Sequence, residues 1–137
     1  MSNIEASIAS LIEVFKELDL NYNQHEENVF SIRLSGDIVE GVYYFIDFDE
    51  DGNSVSIVGM DIASFGDKLV QGYAVANRLN HKHRWSNFII HQNGDINTRI
   101  DAIIEPETAG KEIMQLIARN IQTLDSVYPE IMKEILG

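Results

Sequence analysis

The chain has 137 residues, 45% hydrophobic and 23% charged, a length and balance that predict one self-sufficient domain spanning residues 1–137. Its 22 acidic and 10 basic side chains give a formal net charge of −12. A field of that sign repels phosphate backbones and anionic lipid, so general nucleic-acid binding is disfavoured and basic or extended polypeptides are the more compatible partners.

No cysteine is present, which removes a disulfide framework, a thiolate zinc site and a cysteine nucleophile. Met1 to Ile8 lacks the basic and apolar segments of a signal peptide, and the apolar runs are too short to cross a bilayer. These features predict a cytoplasmic protein without membrane association.

Ser2 and Glu5 have capping-box spacing, and Ile4, Ile8, Leu11, Ile12, Phe15 and Leu18 recur at three and four residues behind them. That pattern predicts an amphipathic helix of about four turns ending near Asp19. Tyr22 to His25 is compatible with an extended stretch, and Val29, Ile32 and Leu34 suggest a strand ended by Ser35-Gly36-Asp37. Val42 to Asp49 and Ser54 to Ile62 flank Asp51-Gly52, a dipeptide that favours a two-residue type I′ hairpin. That loop pairs Phe48 with Val55, Ile46 with Ile57 and Tyr44 with Gly59 on one sheet face. On the other it pairs Phe45 with Val58 and Tyr43 with Met60.

Ser64 to Asp67 breaks the pattern and could cap a second helix, whose predicted apolar stripe is Leu69, Tyr73, Ala76 and Leu79. Trp85 to Gln92 and Asp95 to Ile104 then form a second hairpin. A three-residue loop, Gln92-Asn93-Gly94, pairs Ile90 with Ile96 and Phe88 with Thr98, and it places Gly94 where a bulge needs positive φ. Pro106 and Thr108 precede a last helix with a stripe of Ile113, Ile117, Ile121, Leu124, Tyr128, Ile131 and Ile135, which Pro129 should kink or split. The predicted order is α-β-β-β-α-β-β-α, and strands in runs between helices indicate an α+β fold with an antiparallel sheet.

Between Asn77 and Ile104 the chain carries Asn77-x-x-Asn80 near the end of a helix, a strand, an Asn93-Gly94-Asp95 turn and a return strand. This combination resembles the YbjN family of small bacterial proteins. The resemblance implies a secretion-chaperone-like α+β fold and a role of the kind given to sensory-transduction regulators. Structurally related type III secretion chaperones are small, acidic, cytoplasmic dimers that hold unfolded segments of effectors; size, charge and the amphipathic last helix are similar here.

Several constellations have both a functional and a structural reading. Asp47-Phe48-Asp49-Glu50-Asp51-Gly52 begins like a calcium loop, but its twelfth position is Val58, where a bidentate Glu is needed, and its flanks read as strands. No metal site is expected. Arg78, Lys82 and Arg84, with His81 and His83, form the one basic cluster. It could bind an anion through Arg78, Lys82 and Arg84, or simply offset exposed carbonyls at a helix C-terminus. Two histidines two residues apart on a helix diverge and make a weak metal seed. Asn77 and Asn80 share a helix face, and the structural reading has their amides satisfying backbone groups of the hairpin that follows.

No nucleophile-elbow, P-loop, dinucleotide-turn or metalloprotease motif is present, so neither catalysis nor a cofactor is expected. Tyr43, Phe45, Val58 and Met60 form a second apolar sheet face, to be covered by a helix of this chain, a second copy or a client peptide. The sequence thus reads as a noncatalytic protein-binding module, chaperone-like or regulatory, forming a homodimer and engaging another polypeptide. The alternative is a small-molecule-responsive regulatory domain with a pocket between the sheet and the last helix.

Overall fold

A computed structural model describes residues 1–137. Helix α1 (Asn3–Glu17) begins at the expected capping box: the Ser2 hydroxyl accepts from the Glu5 N–H, and the Glu5 carboxylate accepts from the Ser2 N–H. The helix ends at Glu17, leaving Leu18 exposed rather than in the stripe.

Four strands follow: β1 (Asn23–Glu26), β2 (Val29–Leu34), β3 (Val42–Phe48) and β4 (Ser54–Ser64). The sequence pattern gives three here. Asn23-Gln24-His25-Glu26 is exposed throughout and joins the sheet through backbone pairing to β2, so no burial pattern marks it. After helix α2 (Leu69–Lys82) come β5 (Asn87–Ile90) and β6 (Asp95–Ile103), then a short 3-10 turn at Pro106–Thr108 and helix α3 (Ala109–Leu136). The class is α+β, as expected, with element order α-β-β-β-β-α-β-β-α.

The six strands form one antiparallel sheet in the order β1-β2-β3-β4-β6-β5. The β3–β4 register is the expected one, with Phe48 opposite Val55, Ile46 opposite Ile57 and Phe45 opposite Val58. Its tip differs from the expected type I′ turn. Only Gly52 takes positive φ, and the Gly52 N–H closes a turn on the Asp49 carbonyl. Asp49 also accepts from the Asn53 and Ser54 N–H groups, so a longer, side-chain-braced tip replaces the two-residue loop. The second hairpin closes as expected over Gln92-Asn93-Gly94, with Ile90 opposite Ile96, Phe88 opposite Thr98 and Gly94 at φ +92.

The helices cover one sheet face. Phe30, Ile32, Tyr44, Ile46 and Ile57 pack there against Leu11 and Phe15 of α1 and Ile113, Ile117 and Leu124 of α3 in one core. Gly59 makes room in it: a Cβ there would meet the Thr98 hydroxyl at 2.6 Å and the Tyr44 ring at 3.2 Å.

Three helix expectations are corrected. In α2, Gly72 and Val75 are buried and Tyr73 is exposed, because Gly72 lets the helix approach Phe65 and Ile90 closely. No side chain caps α2; the Ser64 hydroxyl instead accepts from the Gly66 N–H. In α3, the buried set includes Asn120 and Val127, and the helix runs unbroken through Pro129. Pro129 lies on the exposed side, where solvent can replace the donor it lacks.

Candidate functional site

Tyr43, Phe45, Val58 and Met60 come together on the sheet face opposite the helices. Tyr43 pairs across strands with Met60, and Phe45 with Val58. All four are half-buried, shielded by each other and by neighbouring side chains rather than by a helix. The Tyr43 and Phe45 rings meet edge to face at 4.8 Å between centroids, and the Arg33 guanidinium lies 4.9 Å from the Tyr43 centroid.

Three residues outside the predicted set complete this surface. The His25 ring sits 5.3 Å from the Phe45 ring, and its Nε2 lies 2.7 Å from the Ser31 hydroxyl, which in turn is 3.0 Å from the Tyr43 hydroxyl. Ser31 is wholly buried beneath these groups, so the His–Ser pair braces the patch from below. His25 reaches this position through the β1 bulge between Gln24 and Glu26, in the strand the sequence pattern does not mark. Arg33 is also held by Asp61 at 3.1 Å, and Arg99 by Asp101 at 3.1 Å. Asp61 takes φ +62 at the bulge that shifts the β4–β6 register between Gly59 and Ala63. The Ser56 hydroxyl bond, with Arg99 beside it, holds the Asp101 carboxyl below the usual range. Two of the charge pairs beside the patch are thus matched, while Asp47, on the same face of β3 as Phe45, meets only the Asn28 amide.

Of the basic cluster, only Arg78 makes ion pairs. Arg78 is taken up by α3: its Nε and Nη2 donate to Glu130 at 3.1 and 3.0 Å, and Glu134 lies 3.7 Å away. Lys82 and Arg84 are exposed and make no ion pair. His81 and His83 belong to no group of three side chains able to share a metal ion. Asn80 has the structural role expected of it: its amide bonds both the N–H and the C=O of Phe88. Asn77 is exposed and makes no such bond.

A second feature lies between the sheet and α3. The buried Asn120 amide accepts from the Tyr44 hydroxyl and donates to Ser86 at 2.8 Å and Thr98 at 3.0 Å, tying β3, the chain before β5, and β6 to one helix position. Burial pushes the Tyr44 phenol well above its ordinary value, and the Asp125 charge adds to the effect, so the hydroxyl stays a neutral donor. Beside this network is an open cleft of about 490 Å³ between β6 and the first half of α3, with Trp85 at one end.

No helix is long and apolar enough to cross a membrane. No curated protein and no solved structure matches the chain at a significant level. A family model does match, over residues 7–133: YbjN, described as "putative bacterial sensory transduction regulator". With the Asn80 clamp, the Asn93-Gly94-Asp95 hairpin and nearly the whole chain covered by that match, the protein belongs to the YbjN family.

Proposed function

We propose that this chain is a noncatalytic regulatory module that acts by binding polypeptide, self-associating across its outer sheet face and in that form engaging another protein. The observation that carries the reading is the uncovered apolar patch of Tyr43, Phe45, Val58 and Met60, which all three helices leave open. Its flanking ion pairs, Arg33–Asp61 and Arg99–Asp101, support the pairing of two copies. Each pair is neutral in itself, although the whole chain carries −12. Homodimers are the commonest closed assembly and bury self-complementary patches, and a stable interface would cover on the order of 1,200 Å² in total.

Sedimentation equilibrium at tens of micromolar tests the reading. The expected result is a dimer mass for the native chain and a folded monomer for Phe45→Glu. A clean monomer mass for the native chain overturns self-association.

The cleft between β6 and α3 favours a second reading, a small-molecule-responsive domain, because its volume falls within the range of about 300–1,000 Å³ common for ligand pockets.

A further inference from the structure

The β6 strand is longer than the strand beside it. β5 pairs with it only from Ile96 to Arg99, whereas β4 pairs with it as far as Ile103. Antiparallel ladders alternate the direction in which successive residues point their N–H and C=O groups. The Ile104 N–H bonds the Asn53 carbonyl on the β4 side, and the His91 N–H bonds the Asp95 carbonyl on the β5 side. Ile100 and Ala102 therefore face β4, while Asp101 and Ile103 aim their backbone groups to the side where β5 would continue. No strand lies there.

Backbone groups on either side of this gap are closed by side chains. Asn80 takes both outward backbone groups of Phe88 on β5. Beyond Ile103, the Glu105 N–H donates to the Glu112 carboxylate at 3.1 Å. The open rungs at Asp101 and Ile103 give onto the cleft beside α3, where Leu116 is half-buried and Trp85 and Ile103 are 55% and 91% exposed. The gap is built. The buried Asn120 draws Ser86 inward, and Trp85 takes φ +78, a conformation a bulky side chain adopts only under constraint. Both keep the chain before β5 from closing over the edge.

We propose that this gap is a docking site for an extended segment of another polypeptide, which adds as a strand in line with β5 by bonding the Asp101 and Ile103 backbone. Strand addition draws affinity from main-chain bonds and specificity from alternate side chains. The position opposite Ala102 points toward Leu116 on the helix side and takes an apolar residue. The flanking positions lie on the outer side; at the end of the cleft away from Trp85 and Arg119, Glu112 and the exposed Glu105 that it bonds favour a basic residue. The overall charge of −12 steers cationic segments and opposes a second copy of this chain. Of the cleft's polar side chains, Asp101 is held by Ser56 and Arg99, Glu112 by Thr108 and the Glu105 N–H, and Arg119 lies over the Trp85 ring, which leaves Gln115 and the backbone edge to meet a ligand.

The site rests on the reading of the chain as a polypeptide-binding module; Asp101 borders both it and the Tyr43–Phe45 face, but Leu116 lines only the cleft and Phe45 only the outer patch, so variants at those two residues let the two readings fail independently. The test titrates the full isotope-labelled chain with a short peptide alternating lysine and valine. Its controls are the same composition without alternation and the alternating peptide N-methylated on the bonding edge. The expected result is saturable binding of the alternating peptide, with shifts and exchange protection at the Asp101 and Ile103 amides, and about tenfold or greater weakening on N-methylation.

Ile103→Pro removes one donor on the side away from the β4 ladder and should abolish binding. Leu116→Arg, which blocks the inward position, should do the same and serves if the proline variant fails to fold. Equal binding of the N-methylated peptide, shifts confined to the Tyr43–Phe45 face, or no saturation at about 1 mM, the weak limit of specific recognition, would each overturn the proposal. So would a dimer of the native chain that Leu116→Arg or a folded Ile103→Pro variant dissolves, because a second copy would then occupy the edge.

Discussion

Asn80 holds Phe88 by both ends of its backbone: the side-chain Nδ2 donates to the Phe88 carbonyl at 3.0 Å, and Oδ1 accepts from the Phe88 N–H at 2.6 Å. An asparagine amide has the same donor and acceptor pair as a neighbouring strand, so one helix residue completes the outer side of β5. Asn80→Ala should cost about 1–3 kcal/mol by leaving both groups without their partner. Asn77→Ala, one turn earlier and exposed, should stay within about 0.5 kcal/mol of the native chain. Urea denaturation of the two variants checks this, and equal effects would remove the special role of Asn80.

Asn120 should behave as the centre of a unit. Asn120→Leu keeps volume but strands the Tyr44, Ser86 and Thr98 hydroxyls in the core, and should destabilise by about 2–4 kcal/mol. Tyr44→Phe removes one of those hydroxyls. In the double variant the two losses should be less than additive, with a coupling of about 1 kcal/mol, and a double-mutant cycle measures it. Strict additivity would mean that the network is not coupled.

The Asp125 carboxylate accepts from the Asp37, Ile38 and Val39 N–H groups at 2.8, 3.0 and 2.8 Å, fastening the loop between β2 and β3 to α3. These bonds, that of Val39 first, hold its carboxyl below the usual range. Its folded pKa is thus lower than its unfolded one, so the stability it adds is present above the unfolded value and is lost as pH falls through the folded value. Asp125→Asn should lower the urea midpoint at neutral pH, and the gap to the native chain should narrow below about pH 4. A gap that does not change with pH would show that the charge is irrelevant.

The acidic β3–β4 tip should not bind calcium at micromolar concentration. Asp49 spends its carboxylate on the Asn53 and Ser54 N–H groups, and Val58 occupies the position where a bidentate ligand is needed. Isothermal calorimetry with calcium should give no saturable heat; a micromolar site would refute this.

The hairpin registers were legible because a one-residue slip exchanges the faces, and Ile46, Ile57, Phe88 and Ile96 belong on the buried one. The outer patch was legible for the same reason. β1 was not, since four exposed polar residues joined by backbone bonds carry no periodic signal, and His25 was lost from the site with it. Asn120 was hidden inside an apolar stripe, and its partners lie from 22 to 76 positions away in sequence. The open rungs at Asp101 and Ile103 follow from where β5 stops, which depends on Trp85 and on that distant asparagine.

Helix α3 supplies the cover for the sheet's inner face, the clamp on the Asp37–Val39 loop and the amide that joins β3 to β6, and it is the last of the elements along the chain. A growing chain emerging from the ribosome would therefore have all six strands made before any of them has this cover. Helix α1 could shield part of that face, but the core would lack Ile113, Ile117 and Leu124 until those turns of α3 emerge. Folding of this domain should then be a single event that waits for α3 rather than a progressive one, with an aggregation-prone interval lasting at least until that helix is made.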